Sequence, residues 1–224
     1  MRLALLRSPI NWSIAILIVG LAVDQLAQPW GQPLVNVWVW CCFAWLVARA
    51  SPAERVSYIA CLLIASAGEV FCSLIWGLYD YRLHNIPFFV PPGHVLLYAL
   101  GLHFAPRIPE RWLVPVAPIV AITALALGLS GRDLLSIPLA AIFVLFTRYG
   151  SGGKLYPTMF GLATLLELWG TWVGNWAWRP LVPWLDWSTL NPPFAAGAFY
   201  CGLDWMVARF TRAWQARRAP AAQA

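Results

Sequence analysis

Long apolar runs, separated by short polar or Pro- and Gly-containing turns, recur along the whole chain. Such turns occur at 28–31, 130–131 and 150–153. Most runs approach the length of about 20 residues that a helix needs to cross the hydrocarbon of a bilayer. The pattern predicts an all-α, polytopic membrane helical bundle. About eight transmembrane helices are expected, at 10–28, 33–48, 57–78, 89–106, 112–130, 133–148, 156–176 and 192–210.

The composition agrees with a membrane protein. Hydrophobic residues make up 61% of the chain and charged residues only 11%, whereas a soluble domain has about a quarter charged residues. The 15 tryptophans suit membrane interfaces, where the ring is buried and the indole N–H stays hydrated. The net charge of +6 does not predict nucleic-acid binding, because the basic residues are spread over short loops.

The basic residues also predict the orientation. If both termini lie on one side of the membrane, 12 of the 15 Lys and Arg residues fall on that side, and only Arg82, Arg132 and Arg179 on the other. Because basic loops are retained in the cytoplasm, we expect a multi-pass protein of a bacterial-type inner (plasma) membrane with both termini cytoplasmic. The first apolar run is interpreted as a retained helix, with a cleaved signal peptide as the alternative.

Two distant stretches of the chain share an ordered pattern. Each has a Glu, a Gly-x-aromatic-x-aromatic-Arg segment, Pro-Pro, Tyr and Gly, and they begin at Glu69 and Glu167. The pattern predicts a 4+4 tandem repeat in parallel orientation, with four helices in residues 1–106 and four in 107–210. Residues 211–224 are predicted to form a disordered basic cytoplasmic tail. The shared positions are Glu69, Gly77, Tyr79, Tyr81, Arg82, Pro91, Pro92, Tyr98 and Gly101 in the first stretch, and Glu167, Gly174, Trp176, Trp178, Arg179, Pro192, Pro193, Tyr200 and Gly202 in the second.

Acidic residues inside the apolar runs are the candidates for chemistry. Glu69 and Glu167 lie about two helical turns from the non-cytoplasmic end, where a carboxylate is costly in lipid and is expected to face the bundle interior. Asp24 has a similar depth in the first run. We predict these three as catalytic residues, with interhelical hydrogen bonding or an interfacial cap as the alternatives. For the deeper Asp204, a pair with Arg209, a cavity position and simple packing all remain open.

The loops that follow the two glutamates are rich in aromatic, Arg, His and Asn residues. One interpretation is an aromatic belt with arginines that reach the headgroups. The other is an aromatic-walled mouth above the glutamates, in which Arg82 and Arg179 hold a phosphate or carboxylate. The predicted substrate-binding residues are Trp76, Tyr79, Tyr81, Arg82, His94, Trp172, Trp176, Arg179 and Asn191.

Neither a metal nor a cofactor is predicted. The three histidines, His84, His94 and His103, form no H-x-x-x-H or H-E-x-x-H motif. A metal held by the two glutamates and His94 is the alternative. The chain has no Gly-rich phosphate loop, serine nucleophile motif or dinucleotide-binding fingerprint.

The two Glu and Gly-x-aromatic-x-aromatic segments support a family resemblance. Here the chain resembles the polytopic carotenoid-biosynthesis membrane proteins of the bacterioruberin-hydratase type, which are small multi-span proteins with a membrane Glu followed by Gly-x-Tyr-x-Tyr. The matching residues are Glu69 with Gly77, Tyr79 and Tyr81, and more weakly Glu167 with Gly174, Trp176 and Trp178.

The resemblance implies acid catalysis on an isoprenoid or other lipid. One glutamate would protonate an alkene, and the other would orient water or take the proton back. Aromatic faces would stabilise the carbocation, and hydration, cyclisation or isomerisation would follow. The other function classes left open are a proton- or cation-coupled transporter and a non-catalytic subunit of a membrane complex. Membrane lipids are the expected partners, with a second copy or another membrane subunit left open. The aromatic faces so implied are Trp76, Tyr79, Trp172 and Trp176.

Overall fold

In the computed structural model, which describes residues 8–218, the chain folds into eight helices and four very short strands. The helices are α1 (Pro9–Leu26), α2 (Gly31–Arg49), α3 (Pro52–Ile75), α4 (Val90–Phe104), α5 (Glu110–Leu129), α6 (Ser136–Tyr149), α7 (Leu155–Val173) and α8 (Gly197–Arg218). The strands are β1 (Tyr79–Tyr81), β2 (Trp176–Trp178), β3 (Leu181–Val182) and β4 (Trp187–Ser188).

The predicted all-α class is confirmed, and a helix occupies each of the apolar runs. Four of the helices, α1, α2, α3 and α5, are long and apolar enough to cross a membrane. The other four are shorter or more polar. The outer surface of the bundle exposes many large aliphatic side chains, such as Leu63, Ile122 and Leu129. A bilayer solvates such a surface without cost, so the fold indicates a membrane protein.

The centre of the bundle consists of two helical hairpins, α3–α4 and α7–α8. Helix α3 packs on α8, and α4 packs on α7. Helices α1 and α2 pack on the first hairpin at α4, and α6 packs on the second at α8. Helix α5 packs on α6 at the edge of the bundle.

The connections within the two hairpins pair with each other as an antiparallel ribbon, β1 with β2. Tyr79 lies opposite Trp178 and Tyr81 lies opposite Trp176. The backbone N–H groups of Arg82 and Arg179 extend the pairing on either side, because they donate to carbonyl groups in the opposite connection. Alternate residues of a strand share one face, so all four aromatic side chains point into the bundle. They are buried.

Local sequence explains where α3 and α7 begin and end. Helix α3 starts with a capping box, in which Ser51 and Glu54 satisfy each other's backbone N–H groups. It ends in a π-helical segment, Val70–Ile75, directly after Glu69. Gly77 and Gly174 follow the two helices at φ of 74° and 90°, a left-handed conformation that glycine adopts readily. The chain therefore turns sharply from each helix into the ribbon.

Two sequence predictions differ from the fold. Residues 211–218 continue α8 and are not a disordered tail, because this segment consists largely of Ala, Arg and Gln, which are good helix formers. Residues 219–224 lie outside the described part of the chain. The last helix was expected from residue 192 but begins at Gly197, because the β3–β4 hairpin lengthens the second connection. Pro91 and Pro92 occupy the first turn of α4, whereas Pro192 and Pro193 precede α8.

Close packing between α7 and α8 gives a test of the fold. A Cβ atom added at Gly197 would lie 2.6 Å from the Phe160 carbonyl oxygen, so we expect Gly197→Ala to destabilise the protein by about 1–3 kcal/mol. The control is Gly161→Ala, where an added Cβ has no neighbour within 4 Å. Thermal unfolding in detergent should show a lower Tm for the first variant only. An equal Tm for both would contradict the packing.

Candidate functional site

A largely apolar cavity of about 340 Å³ lies beneath the ribbon. Helices α1, α2, α3, α4, α7 and α8 all contribute to its wall, and Glu69 and Glu167 both line it. Three lining residues, Gly68 and Phe71 on α3 and Met206 on α8, are also exposed on the outside of the bundle. The cavity therefore reaches the apolar side of the bundle between α3 and α8. The π-helical segment of α3 lies at this opening, and such segments often occur at functional sites.

Glu69 is held by hydroxyl groups from the ribbon. Its Oε2 accepts hydrogen bonds from the Tyr79 hydroxyl at 2.9 Å and the Tyr81 hydroxyl at 2.6 Å. Burial, with the nearby Glu69 charge, raises the pKa of both phenols well above the usual value. Both hydroxyls therefore keep their protons and act as donors. The Glu69 side chain is only 7% exposed, so these donors replace water.

Glu69 also lies beside His94. His94 Nδ1 lies 3.0 Å from the Val90 carbonyl oxygen, which only accepts, so Nδ1 carries a hydrogen. His94 Nε2 lies 3.4 Å from Glu69 Oε1. The second ring nitrogen of His94 therefore faces the carboxyl group.

Glu167 is held by different donors. Its Oε2 accepts the indole N–H groups of Trp176 at 2.9 Å and Trp178 at 3.0 Å. Its Oε1 accepts the Tyr200 hydroxyl at 2.9 Å. An indole N–H only donates, so Oε2 is the acceptor in both of these hydrogen bonds. Glu167 therefore has three donors, two indoles and one phenol, whereas the ribbon gives Glu69 two phenols.

Ring contacts join the two glutamate clusters. The His94 ring stacks on Tyr200 with centroids 5.2 Å apart and an interplanar angle of 10°. Across the ribbon, Tyr79 contacts Trp178 at 4.7 Å between centroids. The two carboxyl groups therefore share one continuous aromatic wall, and a substrate in the cavity would contact both clusters.

The cavity brings together most of the predicted catalytic and aromatic residues. Trp178 and Tyr200 also line it and bind Glu167, but the sequence interpretation did not select them as site residues. The repeat carried the signal for Trp178, because it has the place in the second stretch that Tyr81 has in the first. The predicted residues that line the cavity are Glu69, Trp76, Tyr79, Tyr81, His94, Glu167 and Trp176.

Asp24, predicted as catalytic, lies outside the cavity lining. It is 1% exposed, and its Oδ1 is 3.1 Å from Arg82 Nη2. Its Oδ2 accepts a hydrogen bond from Asn175 Nδ2 at 2.7 Å. Asp24 therefore fixes both hairpin connections to α1, and Arg82 is occupied by this pair. The prediction missed this role because the partners lie far away in sequence.

Three further predicted substrate-binding residues lie away from the cavity. Trp172 is 78% exposed on α7, because five residues after Glu167 correspond to a rotation of about 140° around the helix. Arg179 pairs with Asp80 at 3.1 Å on the surface. Asn191 accepts the backbone N–H of Trp178 at 2.8 Å. Asn191 thus supports the ribbon from outside.

Within residues 8–218, no group of three His, Cys, Asp or Glu side chains is placed to hold a metal ion. A scan against protein-family models and searches of curated proteins and of solved structures find no match to this chain. The chemistry of the cavity is therefore the basis for the function.

The two arginines at matching places in the repeated pattern give a paired test. Loss of Arg82 would leave the Asp24 charge buried without its partner, so Arg82→Gln should destabilise the protein by about 3–5 kcal/mol. In the Arg179–Asp80 pair the side chains are 50% and 44% exposed, so Arg179→Gln should cost less than about 1 kcal/mol. Thermal unfolding of both variants in detergent measures the difference. Equal losses would show that Arg82 does not anchor the ribbon.

Proposed function

We propose that this protein is an integral membrane enzyme that acts on an isoprenoid or other lipid by acid catalysis. The observation that carries the proposal is the presence of two buried carboxyl groups, Glu69 and Glu167, in the wall of one apolar, aromatic cavity. The reaction is a hydration, cyclisation or isomerisation of an alkene. The resemblance of the Glu and Gly-x-aromatic-x-aromatic segments to carotenoid-biosynthesis proteins favours an isoprenoid as the substrate.

Glu69 is the general acid in this mechanism. His94 Nε2 lies 3.4 Å from Glu69 Oε1, close enough to deliver a proton to it. Transfer of that proton to an alkene carbon leaves a carbocation on the neighbouring carbon. His94 then helps to return a proton to Glu69 after each cycle.

Glu167 and the aromatic side chains stabilise the carbocation. Glu167 is bound by donors alone on Oε2, which favours a fixed negative charge opposite the positive centre. In a desolvated site, each aromatic face stabilises a cation by up to about 2 kcal/mol. Water then adds to the cation, a second double bond closes a ring, or a neighbouring C–H loses its proton to a carboxylate. The faces available are those of Trp76, Tyr79, Trp176 and Trp178.

Access from the lipid phase is consistent with this substrate class. The cavity opens beside Gly68, Phe71 and Met206, which lie within helices α3 and α8 and not in the loops. An apolar chain would enter sideways and need not cross an aqueous phase. The apolar lining would then bind it without polar recognition.

We infer a membrane arrangement that goes with the site. All eight helices span the membrane, as two tandem repeats of four, residues 1–106 and 107–210. Both termini are cytoplasmic in a bacterial-type inner membrane, so the ribbon and cavity lie near the outer face. Two observations support the repeat. Strands β1 and β2, which follow corresponding helices, pair with each other, and each glutamate has a similar position before its strand. A 14-residue helix such as α6 spans only a thinned part of the bilayer.

The central test compares the lipids of cells that contain the intact protein with those of cells that contain the Glu69→Gln or the Glu167→Gln variant. With the intact protein, mass spectrometry should detect a lipid increased by one water, or an isomer of unchanged mass. Loss of a general acid should lower its amount by about 100-fold or more in Glu69→Gln. The fixed-charge role of Glu167 predicts a comparable loss.

Glu110→Gln is the matched control, because Glu110 is exposed at the start of α5 and has no contact with the cavity. It should leave the product unchanged. If both cavity variants also left the product unchanged in correctly folded protein, the glutamates would be interhelical hydrogen-bonding groups. Flux that depends on pH or membrane potential, without any lipid change, would instead identify a transporter.

The orientation has its own test. In a background without the native cysteines, Asn85→Cys in the first connection should react with a membrane-impermeant maleimide in intact cells. Ser151→Cys, between α6 and α7, should react only after the membrane is opened, because it lies at the opposite end of the bundle. The reverse pattern would overturn the orientation while leaving the site unaffected.

A further inference from the structure

Asp204 is a buried acid that the proposed mechanism does not use. It lies on α8 and is 1% exposed. Neither of its oxygens accepts a hydrogen bond from any group in the described part of the chain. Buried polar groups are otherwise nearly always satisfied, and a carboxylate without partners in a membrane bundle is very costly. An acid in this position is therefore expected to hold a proton.

Among the described residues, Asp204 forms no ion pair. Arg209, the partner considered from the sequence, lies over the Trp205 ring. Asp204 interacts electrostatically with four groups that are uncharged at neutral pH: Cys61 on α3, Tyr98 on α4, Tyr156 on α7 and Cys201 on α8.

Asp204 and Tyr98 lie directly beneath the two glutamate clusters. On α4, Tyr98 is four residues after His94, and on α8, Asp204 is four residues after Tyr200. Residues four apart on a helix are neighbours at about 5–6 Å. The stacked pair of His94 and Tyr200 therefore has a second polar pair one turn below it, further from the ribbon.

Polar groups continue from this second pair toward the basic end of the bundle, the end where α3 begins. The Tyr98 phenol lies beside the Ser57 side chain, and the Ser57 hydroxyl donates to the Glu54 carbonyl oxygen at 2.8 Å. Tyr58 also contacts the Tyr98 ring. Glu54 is exposed in the first turn of α3, so Ser57 lies about one turn from the exposed end of this helix.

We propose that Asp204 and Tyr98 form a proton relay that connects the basic end of the bundle to the Glu69–His94 pair. Asp204 holds one proton and passes it through bound water toward His94. A proton from solvent then reaches Asp204 by way of Ser57 and Tyr98. The use of these protons in catalysis rests on the proposed function, but the existence of the relay does not.

The relay is balanced in protons. An alkene takes one proton from Glu69, and the addition of water or the loss of a C–H proton releases one. The relay returns that proton or replaces it from solvent, so the cavity carries no accumulated charge.

Infrared difference spectroscopy of the full-length protein in lipid, on transfer from H2O to D2O, tests the relay directly. A protonated carboxyl group absorbs separately from carboxylates, and its band shifts when deuterium replaces the proton. We expect an exchangeable band that is lost in Asp204→Asn and persists in Glu69→Gln. Tyr98→Phe should keep the band but slow its exchange several-fold. The exposed control, Glu110→Gln, should change neither.

Absence of a band that depends on Asp204 would overturn the relay, as would exchange that Tyr98→Phe leaves unchanged. Asp204→Glu serves as a second variant if Asp204→Asn does not fold, and it should retain a shifted, exchangeable band. In lipid turnover, Asp204→Asn should lower the rate several-fold with the same product. Failure of the proposed function is seen separately, as an unchanged product in Glu69→Gln.

Discussion

The constraint on which the structure depends is the need to satisfy two carboxyl groups inside an apolar bundle. Without donors, a buried acid costs several kcal/mol, and the neighbouring helices supply few, such as the Tyr200 hydroxyl on α8. The ribbon of β1 and β2 meets this need, because it turns four aromatic side chains inward, and all four donate to Glu69 or Glu167. The sharp glycine turns, the Asp24 anchor and the outer contact of Asn191 all serve to hold this ribbon.

The identity of the donors separates the two acids. Phenol and imidazole groups around Glu69 both donate and accept, whereas indoles around Glu167 only donate. A similar backbone therefore surrounds two carboxyl groups with chemically different partners. This difference results from aromatic substitutions, Tyr79 and Tyr81 on one side and Trp176 and Trp178 on the other. Neither substitution alters the hydrophobic pattern of the chain.

The helices were predictable because apolar runs and turn residues are local signals. The burial of Glu69 and Glu167 inside the bundle was also predictable, because an acid in an apolar run is costly in lipid. The partners of these acids were less accessible to sequence reasoning. The pairing of Asp24 with Arg82, and that of β1 with β2, join residues distant in the chain, and periodicity carries no information about them. Trp172 lies outside the cavity lining, because closeness in sequence to Glu167 does not fix the helix face.

The ribbon also sets the scale of the site. Neighbouring strands are held about 4.7–4.9 Å apart by backbone hydrogen bonds, whereas helices tilt and shift when the bilayer becomes thicker or thinner. Four of the donors to the two acids lie on the same two paired strands, so the spacing of these four follows the ladder and not the tilt of the helices. The geometry of the two acids is thereby insulated from the lateral forces of the lipid, and the protein should keep one site geometry in membranes of different composition.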